Sequence, residues 1–130
     1  MEELRRLADQ GDAQAQFELG FRYAHGQGVS RDDQEAAKWY RLAALQGHGG
    51  AQVHLGAMYG QGHGVPKDYV LAHMWLNLAA AIGMKEAVKG RDLLEERMTP
   101  AQLGEAQRLA REWEPREWKP TGKVTKRGKL

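Results

Sequence analysis

The chain has no cysteine, a single serine and only four prolines in 130 residues. Without cysteine there is no disulfide framework, no thiolate metal site and no cysteine nucleophile, so every staple must come from packing. The lone Ser30 sits in a glycine-rich turn with no acid–base partner in view, which leaves no serine nucleophile. No apolar run approaches the roughly 18 residues that a membrane span requires. The opening MEELRRLADQ also lacks the apolar stretch of a signal peptide, so the cytoplasm is the default expectation. What is present is 42% hydrophobic and 28% charged residues with a net charge of +2, enough apolar side chain for a core. The length suits one domain, since typical domains run to roughly 100 to 200 residues.

The chain repeats itself. Residues 15–47 laid on 51–83, a shift of 36 with no gap, match at 15 of 33 positions. The matches include Ala15/Ala51, Gln16/Gln52, Leu19/Leu55, Gly20/Gly56, Tyr23/Tyr59, Gly26/Gly62, Gly28/Gly64, Asp32/Asp68, Trp39/Trp75 and Ala43/Ala79. These are packing and turn residues, and a fixed period of this size is the signature of a repeat architecture.

Within each unit the apolar spacing is helical. Ala15, Leu19 and Tyr23 fall one turn apart, and Trp39, Leu42, Ala43 and Gln46 follow one face. Each unit therefore reads as two helices, A over 13–25 and 49–61 and B over 33–46 and 69–82. Gly26 and Gly62 close the A helices and Gly47 and Gly83 the B helices. Asp32 and Asp68 cap the B helices, and Glu35 lies three residues after Asp32 as in a capping box. Residues 2–11 resemble the end of a helix B, with Arg5, Ala8 and Gly11 in register with Arg41, Ala44 and Gly47. Past residue 83 the pattern degenerates: Ala87 keeps register, but Arg91 and Glu95 replace the leucine and tyrosine. A helix over 85–97 is expected, then one over 100–113, opened by Thr99, Pro100 and Gln102 and turning Leu103, Ala106, Ala110 and Trp113 inward. No segment alternates apolar and polar residues, so no strand is expected.

The two units, AQFELGFRYAHGQGVSRDDQEAAKWYRLAALQG and AQVHLGAMYGQGHGVPKDYVLAHMWLNLAAAIG, resemble the Sel-one-like repeat, a helical-hairpin relative of the tetratricopeptide repeat. They share its AQ-x-x-LG-x-x-Y opening, its G-x-GV connector followed by aspartate, and its W-x-x-x-AA-x-x-G close. The resemblance is strong over 13–83, weak over 2–11 and 84–113, and absent in the tail. It implies an all-α fold, a right-handed α/α superhelical solenoid of about seven helices. Residues 1–113 would form the repeat domain, with a partial unit 1–11, full units 12–47 and 48–83 and a degenerate capping unit 84–113. A basic flexible tail over 114–130 would follow. It also implies an adaptor that holds another protein or peptide on its concave surface. Cysteine-rich members of the family exist, and this chain departs from them.

No cofactor, metal or catalysis is expected. The five histidines, His25, His48, His54, His63 and His73, include no i, i+4 pairing with a second ligand on one helix and read as surface or turn residues. The connectors GQGV and GHGV resemble phosphate loops, yet a dinucleotide fingerprint needs a preceding strand and a third glycine. Carboxylates are scattered over polar faces with no activated constellation. The binding face is expected on the side of the A helices turned away from the B helices. With Leu19 central to the buried arc, that side carries Glu18, Phe21 and Arg22, and in the second unit His54 and Met58. Phe21 and Met58 are apolar where solvent is expected; the alternative is that they pack against a neighbouring helix. A competing reading rests on residues 114–130, where six basic side chains face two acidic ones. Such a tail attracts nucleic acid or an anionic surface, with Trp118 available for stacking, or is simply a solvated end.

Overall fold

A computed structural model describes residues 1–118 and 124–126. In chain order the helices are α1 (Glu2–Asp9), α2 (Ala13–His25), α3 (Asp33–Leu45), α4 (Gly49–Gln61), α5 (Tyr69–Ala81), α6 (Lys85–Glu95) and α7 (Pro100–Glu112). The fold is an α/α solenoid in which α2 pairs with α3 and α4 with α5. None of the helices is long and apolar enough to cross a membrane.

Local chemistry sets the ends of these helices. Asp12 accepts the Ala15 amide at 2.8 Å, while Asp32 and Asp68 accept those of Glu35 and Leu71 at 3.0 Å. Each bond satisfies one of the amides that a helix start leaves free. The capping box expected at Asp32 is only half made. Its amide is already donated to Tyr23 O at 2.9 Å, so the Glu35 carboxylate turns instead to Trp39 Nε1 at 3.2 Å. At Thr99 both halves are present, with Gln102 N donating to Oγ1 at 3.1 Å and Thr99 N donating to Gln102 Oε1 at 2.9 Å. Gly26 and Gly62 close α2 and α4 at φ of 65° and 72°, the left-handed conformation open to glycine.

Helix pairing depends on missing side chains. A Cβ on Gly20 would lie 2.9 Å from the Tyr40 ring and 3.2 Å from Ala36 O; one on Gly56 would lie 2.9 Å from Leu76 Cγ and 3.2 Å from Ala72 O. The two pairs therefore meet through the same contact, one period apart. Around it the core forms consecutive clusters. Trp39 packs with Ala8, Ala15 and Leu19 between α1, α2 and α3; Tyr40, Ala43, Leu55 and Trp75 pack in the middle; Leu76, Ala79 and Ala87 pack towards α6.

Buried glutamines tie each unit to the one before it. Gln16 Nε2 donates to Ala8 O of α1 at 3.1 Å, and its Oε1 accepts from Gln46, at the end of α3, at 2.9 Å. Gln52 repeats the first bond, donating to Ala44 O at 3.2 Å. The second is lost, because Ile82 stands where Gln46 stands in the first unit. Gln52 Oε1 is buried without a donor among the described residues, and Ile82 is left 59% exposed.

The third unit does not close as a hairpin. Asp92 occupies the register of Gly20 and Gly56, so α6 cannot admit a partner axis at the same close distance. Helix α7 packs on α5 instead, with Trp113 edge-on to Trp75 at 6.0 Å and 73° and with Leu109 and Ala110 against the same cluster. Of the four residues expected to point inward on α7, Ala106 is fully buried and Leu103, Ala110 and Trp113 are half-buried. Beyond α7 the expectation of no strand needs correction. The segments β1 (Arg116–Trp118) and β2 (Val124–Lys126) pair antiparallel, with Glu117 opposite Thr125. Three-residue strands are too short to show alternation, and the helical core does not depend on them.

Trp39→Ala is expected to lower unfolding free energy by about 3–5 kcal/mol in chemical denaturation, because the cavity would open between three helices. Ile82→Gln is expected to do the reverse, raising stability by about 1 kcal/mol and the thermal midpoint by several degrees, by giving Gln52 its missing donor.

Candidate functional site

Between α2 and α4, where Tyr40 reaches in from the B helix α3, aromatic and imidazole rings gather, so the cluster is not turned wholly away from the B helices as expected. Phe17 and Phe21 lie one turn apart on α2. Tyr40 reaches them from α3, its ring resting in the gap left by Gly20. Phe17 is 5.7 Å from the Tyr40 ring, stacks on His48 at 4.7 Å and meets His54 edge-on at 5.4 Å. Phe21 stacks on His25 at 4.1 Å and faces the edge of His54 at 6.3 Å. Such ring pairs contribute beyond their buried area.

Hydrogen bonds orient the cluster. His25 and His54 each present Nδ1 to the carbonyl four residues earlier, Phe21 O at 2.9 Å and Gly50 O at 2.8 Å, which requires the proton on Nδ1. His48 does the opposite: Nδ1 accepts the Ala51 amide at 3.0 Å and Nε2 donates to Gln14 Oε1 at 2.8 Å. Gln14 in turn donates to Glu18 at 3.2 Å. An open recess is lined by Gln14, Phe17, Glu18, Phe21, Arg22 and Gln27. The Tyr40 hydroxyl is buried without a partner among the described residues, and burial pushes its pKa up to about 12.

The residues named from sequence do not all reach this surface. Glu18, Phe21 and Arg22 line the recess together, and His54 joins them through its ring contacts. Met58 does not. It is 9% exposed and belongs to the core, its Cε beside Gly64 of its own connector. Arg22, in the same register and also about 60° from its leucine, lines the recess, so the difference lies in what Met58 meets, the folded-back connector at Gly64. Sequence reasoning missed Phe17, Tyr40 and His48, although His48 stands in the register of the capping Asp12 and signalled a second cap.

The reading of the histidines as surface or turn residues also needs correction. His25 and His63 are exposed, His48 and His54 are half-buried, and His73 is 1% exposed. His73 lies between α5 and α6 with Nε2 3.9 Å from Glu95 Oε1; burial lowers its pKa against the opposing pull of that carboxylate. This polar pair replaces the smaller Ala37 and the Tyr59 found one period earlier. Beside α6, Val53, Ala57 and Gly90 stand where Phe17, Phe21 and His54 stand one period earlier. A second recess of about 460 Å³ opens there over Leu76, Leu93 and Leu94. Among the described residues, no three histidine, aspartate or glutamate side chains converge to hold a metal ion.

The basic tail falls mostly outside the described residues. Arg116 is described and exposed, and the backbones of Trp118 and Lys126 are placed in the ribbon. Lys119, Lys123, Arg127 and Lys129 lie outside.

Comparison with known proteins gives a consistent picture. The family model described as Sel1 repeat matches residues 13–48 and 50–84. The chain is similar to the secretory immunoglobulin A-binding protein EsiB of Escherichia coli O6:H1, 42% identical over 43 residues, which are 33% of this chain and 9% of that protein. Among solved structures it is similar to a protective antigen of uropathogenic Escherichia coli displaying an SLR fold. The TM-score is 0.83 at 40% identity, covering 86% of this chain and 24% of that one. A Sel1 repeat protein from Oxalobacter formigenes aligns with a TM-score of 0.71 at 40% identity, covering 72% of this chain and 27% of that one. The chain thus spans about a quarter of the length of these structures.

Tyr40→Phe is expected to raise the unfolding free energy by about 1 kcal/mol, since it removes a buried hydroxyl without a partner and keeps the ring contacts. Denaturant titration of both proteins checks this; a clear loss of stability would show that the hydroxyl is bonded in solution.

Proposed function

This chain belongs to the Sel1 repeat family, and on that premise we propose that it is a non-catalytic adaptor whose A helices hold a partner protein or peptide. Repeats of this family generally serve as protein-interaction modules. The observation that carries the finer reading is the open recess where Phe21, stacked on His25 and edge-on to His54, lies with Phe17, Glu18 and Arg22. Stacked helix pairs curve and leave a concave surface along one helix set, and in this chain that surface belongs to α2 and α4. Rigid rings bordered by one acidic and one basic group are the composition of a contact surface, where aromatic and arginine anchors supply most of the binding energy. Met58, being buried, is not part of it. EsiB is by name a binder of secretory immunoglobulin A. What carries over from so short a match is the class of partner, a protein, and not its identity.

Phe21→Ser and Glu18→Lys are expected to abolish capture of the partner from native lysate while shifting the thermal midpoint by no more than a few degrees. Capture should survive truncation after Glu114 and raised salt, because the contact is not built on the basic tail. Loss of capture on truncation, with the recess variants still binding, would instead favour an anionic or nucleic-acid partner for the tail.

A further inference from the structure

His48 occupies the register that Asp12 fills one repeat earlier and Met84 one repeat later. Asp12 caps α2 with a carboxylate oxygen. Met84 makes no side-chain cap to α6. His48 caps α4 with a lone pair that a proton can take.

The geometry leaves the ring one workable form. The Ala51 amide needs an acceptor at Nδ1 and Gln14 Oε1 needs a donor at Nε2, so the imidazole is neutral with its proton on Nε2. A second proton at Nδ1 would set donor against donor and place a positive charge at the positive end of the α4 dipole. The side chains around the ring do not favour that charge. From α2 come Gln14 and the Phe17 ring, with the Glu18 carboxylate reached only through the Gln14 amide. From α4 itself comes His54, whose charge would oppose it. The residues that follow α3, Gln46 and Gly47, are neutral, as are Ile82 and Met84 beside Gly49. Burial, the largest cause, lowers the pKa of His48 below its ordinary value near 6.5; a hydrogen bond with its own backbone opposes this, and His54 adds to the lowering.

We propose that His48 is an acid-released latch between the first and second repeats. In neutral solution it joins α2 to α4 and holds Gln14 and Phe17, two walls of the recess. Protonation gives up the Ala51 bond, frees the first turn of α4 and reshapes the recess. Resting on the assignment of this recess to the partner, the consequence is a binding surface formed at neutral pH and withdrawn in mild acid.

The sign follows from linkage. The folded-state value lies below the unfolded one, so the contribution is fully present above the unfolded value near 6.5 and is lost as pH falls beneath it. His73 is shifted in the same direction, so wild-type melting alone cannot isolate His48. The test compares the full-length wild type with His48→Asp, which installs the cap that Asp12 already makes, and with His48→Asn as a second, non-titrating cap.

Amide hydrogen exchange at Ala51, corrected for intrinsic rates, is followed by NMR from about pH 7 to about pH 5. In the wild type, protection at Ala51 is expected to fall about tenfold across that range, the Gln14 side-chain amide and Phe17 ring signals moving with it. In both variants protection at Ala51 should hold. Unchanged protection in the wild type, or an equal fall in the variants, would overturn the latch. Because these signals are read on the chain without a partner, failure of the Phe21→Ser capture experiment would remove the consequence for binding and leave the latch itself decided.

Discussion

Two glycines set the distance from which the rest of the molecule follows. Gly20 and Gly56 let a B helix come so close that its backbone carbonyl and a side-chain ring or branch occupy the space of a Cβ. At that separation Trp39 is enclosed among three helices, Gln16 can reach both the helix before it and the helix after it, and alanines at 43 and 79 are large enough to fill their sites. Packing at interior density tolerates little change in such a contact, since a few tenths of an ångström in axis separation is felt by every neighbour. The repeat is best understood as a way of making that one contact twice.

Where the contact is absent the architecture changes. Asp92 replaces the glycine in the third unit, and α7 lies on α5 where a B helix on α6 would otherwise be expected. The loss is partly replaced by polar means: Arg91 donates to Asn77 at 3.2 Å and His73 faces Glu95, so α6 remains attached to α5 without the leucine and tyrosine that hold the earlier A helices. Trp113 then covers Trp75, which would otherwise be the last exposed ring of the stack. The same drift towards small residues, from Phe17, Phe21 and His54 to Val53, Ala57 and Gly90, leaves the recess beside α6 lined by Leu76, Leu93 and Leu94 with the Tyr69 ring, where Phe17 and Phe21 line the one beside α2.

The aromatic character of the recess is thus a by-product of position within the array. In the first unit Tyr40 stands where the second has Leu76, and its ring floors a cluster that the second unit lacks. His48 stands where the first has Asp12 and links the cap of one helix to the side chains of another. Both substitutions keep the structural task of the register and add a chemical property to it, a buried phenol in one case and a titratable cap in the other. A repeat protein can acquire local character in this way without disturbing its stack, because each unit touches only its neighbours.

The amino-acid sequence alone determined the helices, the caps at Asp32, Asp68 and Thr99, the 36-residue register and the close-approach glycines. Those depend on residues within about four positions of each other or on a period that can be counted. It also placed Glu18, Phe21 and Arg22 on one face, since a helix fixes that geometry internally. Three outcomes belonged to the tertiary structure: α7 resting on α5, Met58 entering the core while Phe21 stays at the recess, and His73 becoming buried beside Glu95. In each case the deciding partner arrives from a different helix or a folded-back connector. Periodicity states which way a side chain points from its own axis, and only the assembled neighbours decide whether water or protein is waiting there.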